Sequence, residues 1–174
     1  ELHHPLAYQI HLWESLIEAG AEFDIRPYGI RAMDSLRIEK SYKYWRVDLS
    51  TEYSALEAGL GRFVHSNKGD FVGRDALVRQ QQEGLPRHFV TLACAVKDAD
   101  PLGNEPIWLG KRMVGRATSG AYGYTVGQSL AVGYVEPEAA QPGTELEIEI
   151  LSERFPAMVI PDSPWDPENM RLRG

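Results

Sequence analysis

Apolar residues recur at helical spacing through the first part of the chain and later give way to alternation. Leu6, Ile10, Trp13, Leu16 and Ile17 stand three or four positions apart, which predicts an amphipathic helix over residues 5–19. Pro5 suits its first position and Gly20 its stop. Ile30, Met33 and Leu36 supply the apolar stripe of a second helix over 29–42, with Arg31, Asp34 and Arg37 spaced for pairing along another face. Residues 44–53 are mixed and predict looped or extended backbone. A short helix is expected over 73–83, ended by Gly84 and Pro86.

Beyond Pro86 the helical period disappears. Residues 89–96 are rich in β formers. Residues 106–109 and 112–118 flank Gly110-Lys111, which predicts a hairpin. Further strands are expected over 130–135, 145–150 and 155–160. The run from Glu145 to Ile150 alternates charged and apolar residues without a break, the pattern of a strand with one wet face. Asp100 to Asn104 and Pro142-Gly143 carry turn chemistry. Gly120, Gly123 and Gly127 have no helix after them, so they read as turns or bulges rather than a phosphate cradle. Short strands with regular turns predict a small barrel or sandwich. The expected class is α+β: a helical and mixed part over 1–84, a β module over 87–161, and a surface tail over 162–174.

Composition narrows the function. Hydrophobic residues make up 43% and charged residues 25%, ordinary values for a globular chain. A net charge of −7 argues against nucleic-acid binding, which needs a basic surface. An anionic ligand would need a local cationic patch. No apolar run of about 18 residues is present, so no membrane association is expected. The single cysteine, Cys94, excludes an internal disulfide, and its apolar neighbours predict a buried, inert thiol. His3 and His4 are adjacent and would face opposite sides of a strand, while His11, His65 and His88 are isolated, so no metal site is expected.

The most informative block is GIRAMDSLRIEKSYKYW, from Gly29 to Trp45. It is followed in order by ALEAGL (55–60), DFVGRDAL (70–77) and VGRATSGAYGYTVGQSLAVGYV (114–135). Together they resemble the C-terminal half of the folate-dependent aminomethyltransferase family. That family takes in the T-protein of the glycine cleavage system and the C-terminal portions of dimethylglycine and sarcosine dehydrogenases. EKSYKYW is particularly similar to the dehydrogenase branch. The resemblance implies a folate-binding domain completed by residues 1–84 and a β-barrel over 87–161. It implies tetrahydrofolate as the ligand in the parent protein, a small methylamine as substrate, and FAD on an upstream domain in the dehydrogenase branch. It also implies a bacterial cytoplasmic or mitochondrial matrix location. The absent initial methionine reads as a domain cut from a longer polypeptide, whose upstream half would be the partner of this chain. A processed or disordered tail is the other reading of that missing start.

The resemblance also suggests site residues. Glu1, in the context Glu1-Leu2-His3-His4-Pro5, resembles the family's pterin-binding glutamate, whose carboxylate accepts two adjacent ring donors at once. The family's helix carries an arginine immediately before the aspartate, but Met33 stands there in this chain. Arg31 lies two residues earlier, about 200° around a helix, and takes the role if the helix starts late. Trp45, with Tyr42 and Tyr44, is placed to stack on an aromatic ligand, or to wall a core. Arg37 and Glu39 match the family pattern and read as structural, an ion pair fixing the helix to the next segment. Glu57 reads as a structural acceptor. The family's catalytic aspartate lies in its N-terminal half and no residue here matches it, so the chain alone is expected to show no turnover. Two other functions are compatible: a non-catalytic binding or assembly module of the same fold, and a folate-dependent sulfonium demethylase.

Overall fold

A computed structural model describes residues 2–174. Glu1, the expected pterin-binding carboxylate, lies outside the described residues. The chain forms two compact units that divide inside the second helix, between Ala32 and Met33.

In the first unit, a 3-10 turn at Leu6–Tyr8 leads into α1, Gln9–Gly20. Of the predicted apolar positions, Leu6 falls in the turn and the others on α1; Leu6, Ile10, Trp13 and Leu16 are exposed and Ile17 is half-buried. Gly20 is not a left-handed stop. It keeps helical angles, a Cβ there would run into the Ile25 side chain, and the left-handed residue is Asp24 at φ 54°.

The second unit is organised by a closed antiparallel barrel. Its strands are β1 His88–Cys94, β2 Pro106–Leu109, β3 Arg112–Gly123, β4 Gln128–Val135, β5 Glu145–Ile150 and β6 Glu153–Ile160. They pair in the order β1-β4-β3-β2-β5-β6. Closure removes the exposed sheet edges that an open six-stranded sheet would carry. Val90, Leu92, Ile107, Val114, Leu146, Ile148 and their inward neighbours fill the interior. Cys94 joins this core as expected; burial pushes its thiol up to about 12, with Glu105 and Asp100 adding to the effect.

β3 corrects one expectation. It does not end at Thr118 with turns at Gly120 and Gly123; its pairing with β4 runs on past that point to Gly123↔Gln128. The glycine at 120 serves close approach, since a Cβ there would sit 2.4 Å from the Pro101 carbonyl oxygen. The ladder slips between Ala117 and Ser119, so the β-bulge falls there instead, on Thr118.

α2, Ile30–Glu39, also buries a different face from the one its apolar spacing indicates. Leu36 and Ile30 are exposed, whereas Ser35, Ile38 and Glu39 are buried. Ile38 packs with Leu130 and Val132 of β4. Polar bonds fix the rest of this face. The Ser35 hydroxyl donates to the Tyr122 carbonyl at 2.8 Å. The Glu39 carboxylate accepts the backbone N–H groups of Thr125 and Val126 at 2.5 and 3.0 Å. Glu39 therefore holds the β3–β4 turn rather than forming an ion pair. After α3, Arg74–Glu83, Gly84 ends the helix at φ 92° as its sequence indicates.

The last stretch is tied down. Lys40 Nζ donates to the Trp165 and Asp166 carbonyls and to Asn169 Oδ1 at 3.2, 2.7 and 2.8 Å. Ser41, Thr91 and Asp162 form a chain of 2.8 Å bonds beside it. A short α4, Met170–Arg173, closes the chain.

Candidate functional site

The loop after α2 is built around one carboxylate that its sequence does not advertise. Asp48 is fully buried. Its Oδ1 accepts the Thr118 and Ser119 hydroxyls at 2.5 and 2.7 Å. Its Oδ2 accepts Arg37 Nη1 at 3.1 Å and the Tyr44 backbone N–H at 2.6 Å. Its carbonyl accepts the Tyr134 hydroxyl at 2.8 Å. Two consecutive residues of a regular strand face opposite sides. The β3 bulge breaks that alternation and lets Thr118 and Ser119 reach one oxygen together.

Arg37 completes the joint. Its guanidinium also reaches Asp34 Oδ1 at 3.2 Å, Ser119 Oγ at 3.2 Å and the Tyr42 carbonyl at 3.3 Å. It lies 5.1 Å from the centre of the Tyr44 ring. The expected ion pairing of this helix with the next segment is therefore carried by Arg37 through Asp48, with Asp34 pairing Arg37 within the helix. Tyr134 stacks on Tyr53, ring centres 3.5 Å apart and 7° from parallel, and meets Phe89 edge-on at 5.2 Å. Burial raises the pKa of the Tyr134 phenol, and Tyr53 and Asp48 raise it further, which keeps the hydroxyl a donor. Glu57 behaves as expected of a structural acceptor: it takes the Ser54 N–H at 2.9 Å while Ser54 Oγ accepts the Glu57 N–H at 3.2 Å.

This joint presents Trp45. The N–H groups of Asp48 and Leu49 both donate to the Tyr44 carbonyl, at 2.8 and 3.1 Å, and Arg46 N–H donates to the Leu49 carbonyl at 2.8 Å. Arg46 takes the left-handed conformation, φ 69°, at the crest of the loop. Trp45 remains 72% exposed on top of it, and Tyr42 and Tyr44 are also exposed, so these rings do not wall a core. Lys43 and Arg46 flank the indole in sequence. Lys43 Nζ lies 4.3 Å from the Phe89 ring centre, and burial lowers its pKa against the opposing pull of Asp162 and Asp48. A displayed indole on a loop that also carries Arg46 suits an aromatic ligand.

Arg31 lies in the first turn of α2 and is exposed. The helix begins before it, so the late start that would carry it to the place of Met33 does not occur. Trp45 belongs to the second unit and Arg31 to the first. Among the described residues no cluster of three or more His, Cys, Asp or Glu side chains is placed to hold a metal ion. No described helix is long and apolar enough to cross a membrane. The sequence signal for Asp48 is indirect: Thr118-Ser119 is a polar pair between Ala117 and Gly120, and hydroxyls buried in a strand need partners.

Comparison with known proteins accounts for this combination of helix, loop and barrel. The profile of the GCVT N-terminal domain matches residues 1–68, and that of the glycine cleavage T-protein C-terminal barrel domain matches 87–166. The chain belongs to the glycine cleavage T-protein family. Mitochondrial dimethylglycine dehydrogenase of Homo sapiens is 39% identical over 161 residues, which is 92% of this chain and 19% of the relative. An aminomethyltransferase of Thermosynechococcus vestitus is 39% identical over 150 residues, covering 86% of this chain and 40% of its own length. Mitochondrial sarcosine dehydrogenase of Mus musculus is 35% identical over the whole chain and 20% of the relative. The crystal structure of the glycine cleavage system aminomethyltransferase T from Bartonella henselae superposes with a TM-score of 0.83 over 94% of this chain and 45% of that one; at 23% identity this establishes the shared fold. The chain thus spans about a fifth of the two dehydrogenases and less than half of the two aminomethyltransferases.

Proposed function

We propose that this chain is the C-terminal, folate-binding portion of a tetrahydrofolate-dependent one-carbon transferase, within either an aminomethyltransferase or a methylglycine dehydrogenase. The observation that carries the reading is the Trp45 loop: an exposed indole on a hydrogen-bonded base, in a chain of this family. Tetrahydrofolate supplies the amine nitrogen that accepts the carbon unit. Trp45 stacks on its aromatic part, the basic loop residues Lys43 and Arg46 offset its negative charge, and Glu1 accepts the pterin donors. In the dehydrogenase form, FAD belongs to an upstream domain.

The uncovered apolar face of α1 supports a partner from the same polypeptide. Ile10, Trp13 and Leu16 are large, exposed and on helical spacing along α1. Such a face ordinarily packs against something. The upstream half of the folate domain is the occupant that the partial coverage of the relatives favours. The mitochondrial relatives and the bacterial aminomethyltransferases favour a matrix or cytoplasmic location.

The full-length protein, given dimethylglycine or sarcosine, is expected to form a one-carbon folate when tetrahydrofolate is present and to release correspondingly less formaldehyde. Product analysis by mass spectrometry reads both. Equal release of formaldehyde with and without tetrahydrofolate, and no one-carbon folate from these amines or from an aminomethylated lipoyl protein, would contradict the proposal.

A further inference from the structure

We propose that Asp48 is a positioning residue for ligand binding, acting through Trp45, and that the β3 bulge belongs to the same device. The ligand class rests on the folate reading above; the mechanical assignment rests on geometry alone.

The loop 44–49 has three anchors, and all three pass through Asp48. Its carboxylate holds the start of the loop through the Tyr44 N–H, α2 through Arg37, and the barrel through Thr118 and Ser119. Its backbone carbonyl takes the Tyr134 hydroxyl from β4. Trp45 is the residue immediately after the anchored Tyr44, and its backbone bridges to Leu49, immediately after Asp48. The indole itself has little packing to hold it, being 72% exposed. Its direction is therefore set by the loop backbone, and the loop backbone is set by Asp48. A ring held in place before the ligand arrives loses less conformational freedom on binding.

Bulged strands re-aim side chains beside functional sites. Here the bulge turns two hydroxyls onto one carboxylate oxygen, and both are buried. Straightening β3 would direct one of them away. The barrel thus fixes where the indole points without touching the ligand.

Asp48→Asn is the informative variant, because it keeps the shape and places an amide where donors converge. The full-length protein is labelled with 5-fluorotryptophan, and the Trp45 resonance is assigned as the one missing from Trp45→Phe. In Asp48→Asn that resonance is expected to shift and broaden. Tetrahydrofolate affinity, read by calorimetry, is expected to fall about tenfold. In a Trp45→Ala background the same Asp48→Asn change is expected to cost less than about twofold, because the ring it positions is gone. Ser119→Ala, which keeps the charge pair and removes one hydroxyl, is expected to move the Trp45 resonance in the same direction by less; it decides the matter if Asp48→Asn does not fold. An unmoved Trp45 resonance in the folded variants, or affinity losses for Asp48→Asn and Trp45→Ala that multiply fully, would overturn the assignment. Failure of the wild-type protein to bind tetrahydrofolate would overturn the folate reading instead, and the fluorine spectra would still decide the role of Asp48.

Discussion

Arg37→Met is expected to destabilise the folded protein by about 3–5 kcal/mol, the usual cost of leaving one partner of a buried ion pair uncompensated. Asp48 has no access to water, and Arg37 is the cation bonded to its carboxylate. The remaining donors to Asp48 are two hydroxyls and one backbone N–H, which bond the carboxylate but do not neutralise it. Methionine fills the volume of the arginine stem, so the loss reports charge more than cavity. Asp34, the other partner of Arg37, is partly exposed and can be hydrated when the guanidinium is removed. Denaturant titration, followed by hydrogen exchange of the β3 and β4 amides, measures the effect where it arises. The double variant Arg37→Met/Asp48→Asn should recover a good part of the loss, because the lone buried charge is gone. A loss below about 1 kcal/mol in the single variant would mean that Asp48 is not confined as described.

Tyr134→Ala should cost a similar amount, about 3–5 kcal/mol, for an apolar reason. Its ring is 1% exposed, stacked on Tyr53 and edge-on to Phe89, so truncation opens a cavity between loop and barrel. Tyr134→Phe separates the hydroxyl from the ring. It removes the one bond to the Asp48 carbonyl and is expected to cost about 1 kcal/mol. Thermal unfolding of the two variants side by side tests this. Comparable losses from both would place the main contribution in the hydroxyl and contradict the packing account.

Legibility in the sequence follows how local each feature is. β5 is readable because Glu145 to Ile150 alternates without a fault, and the strand occupies those residues. β2 is readable because its hairpin partner is only two residues away, across Gly110-Lys111. The length of β3 is not. Glycines at 120 and 123 read locally as breakers, yet at 120 the missing side chain answers a carbonyl of Pro101, nineteen positions earlier. The buried face of α2 is hidden for the same reason. Ser35 and Glu39 bury themselves to satisfy a turn near residue 124, and apolar periodicity cannot register that demand. Trp45 can be chosen from the sequence as a ligand-stacking candidate, and its exposure fits that choice. Asp48 cannot be chosen, because its importance lies in partners more than sixty residues away along the chain.

A crystal structure of the full-length protein with tetrahydrofolate bound would show directly whether Trp45 holds the ligand. The expected result is an aromatic ring of the ligand stacked on Trp45, the Glu1 carboxylate on the pterin donors, and the Asp48 bonds to Thr118, Ser119 and Arg37 intact. Ligand density in a site that leaves Trp45 free in solvent would contradict it.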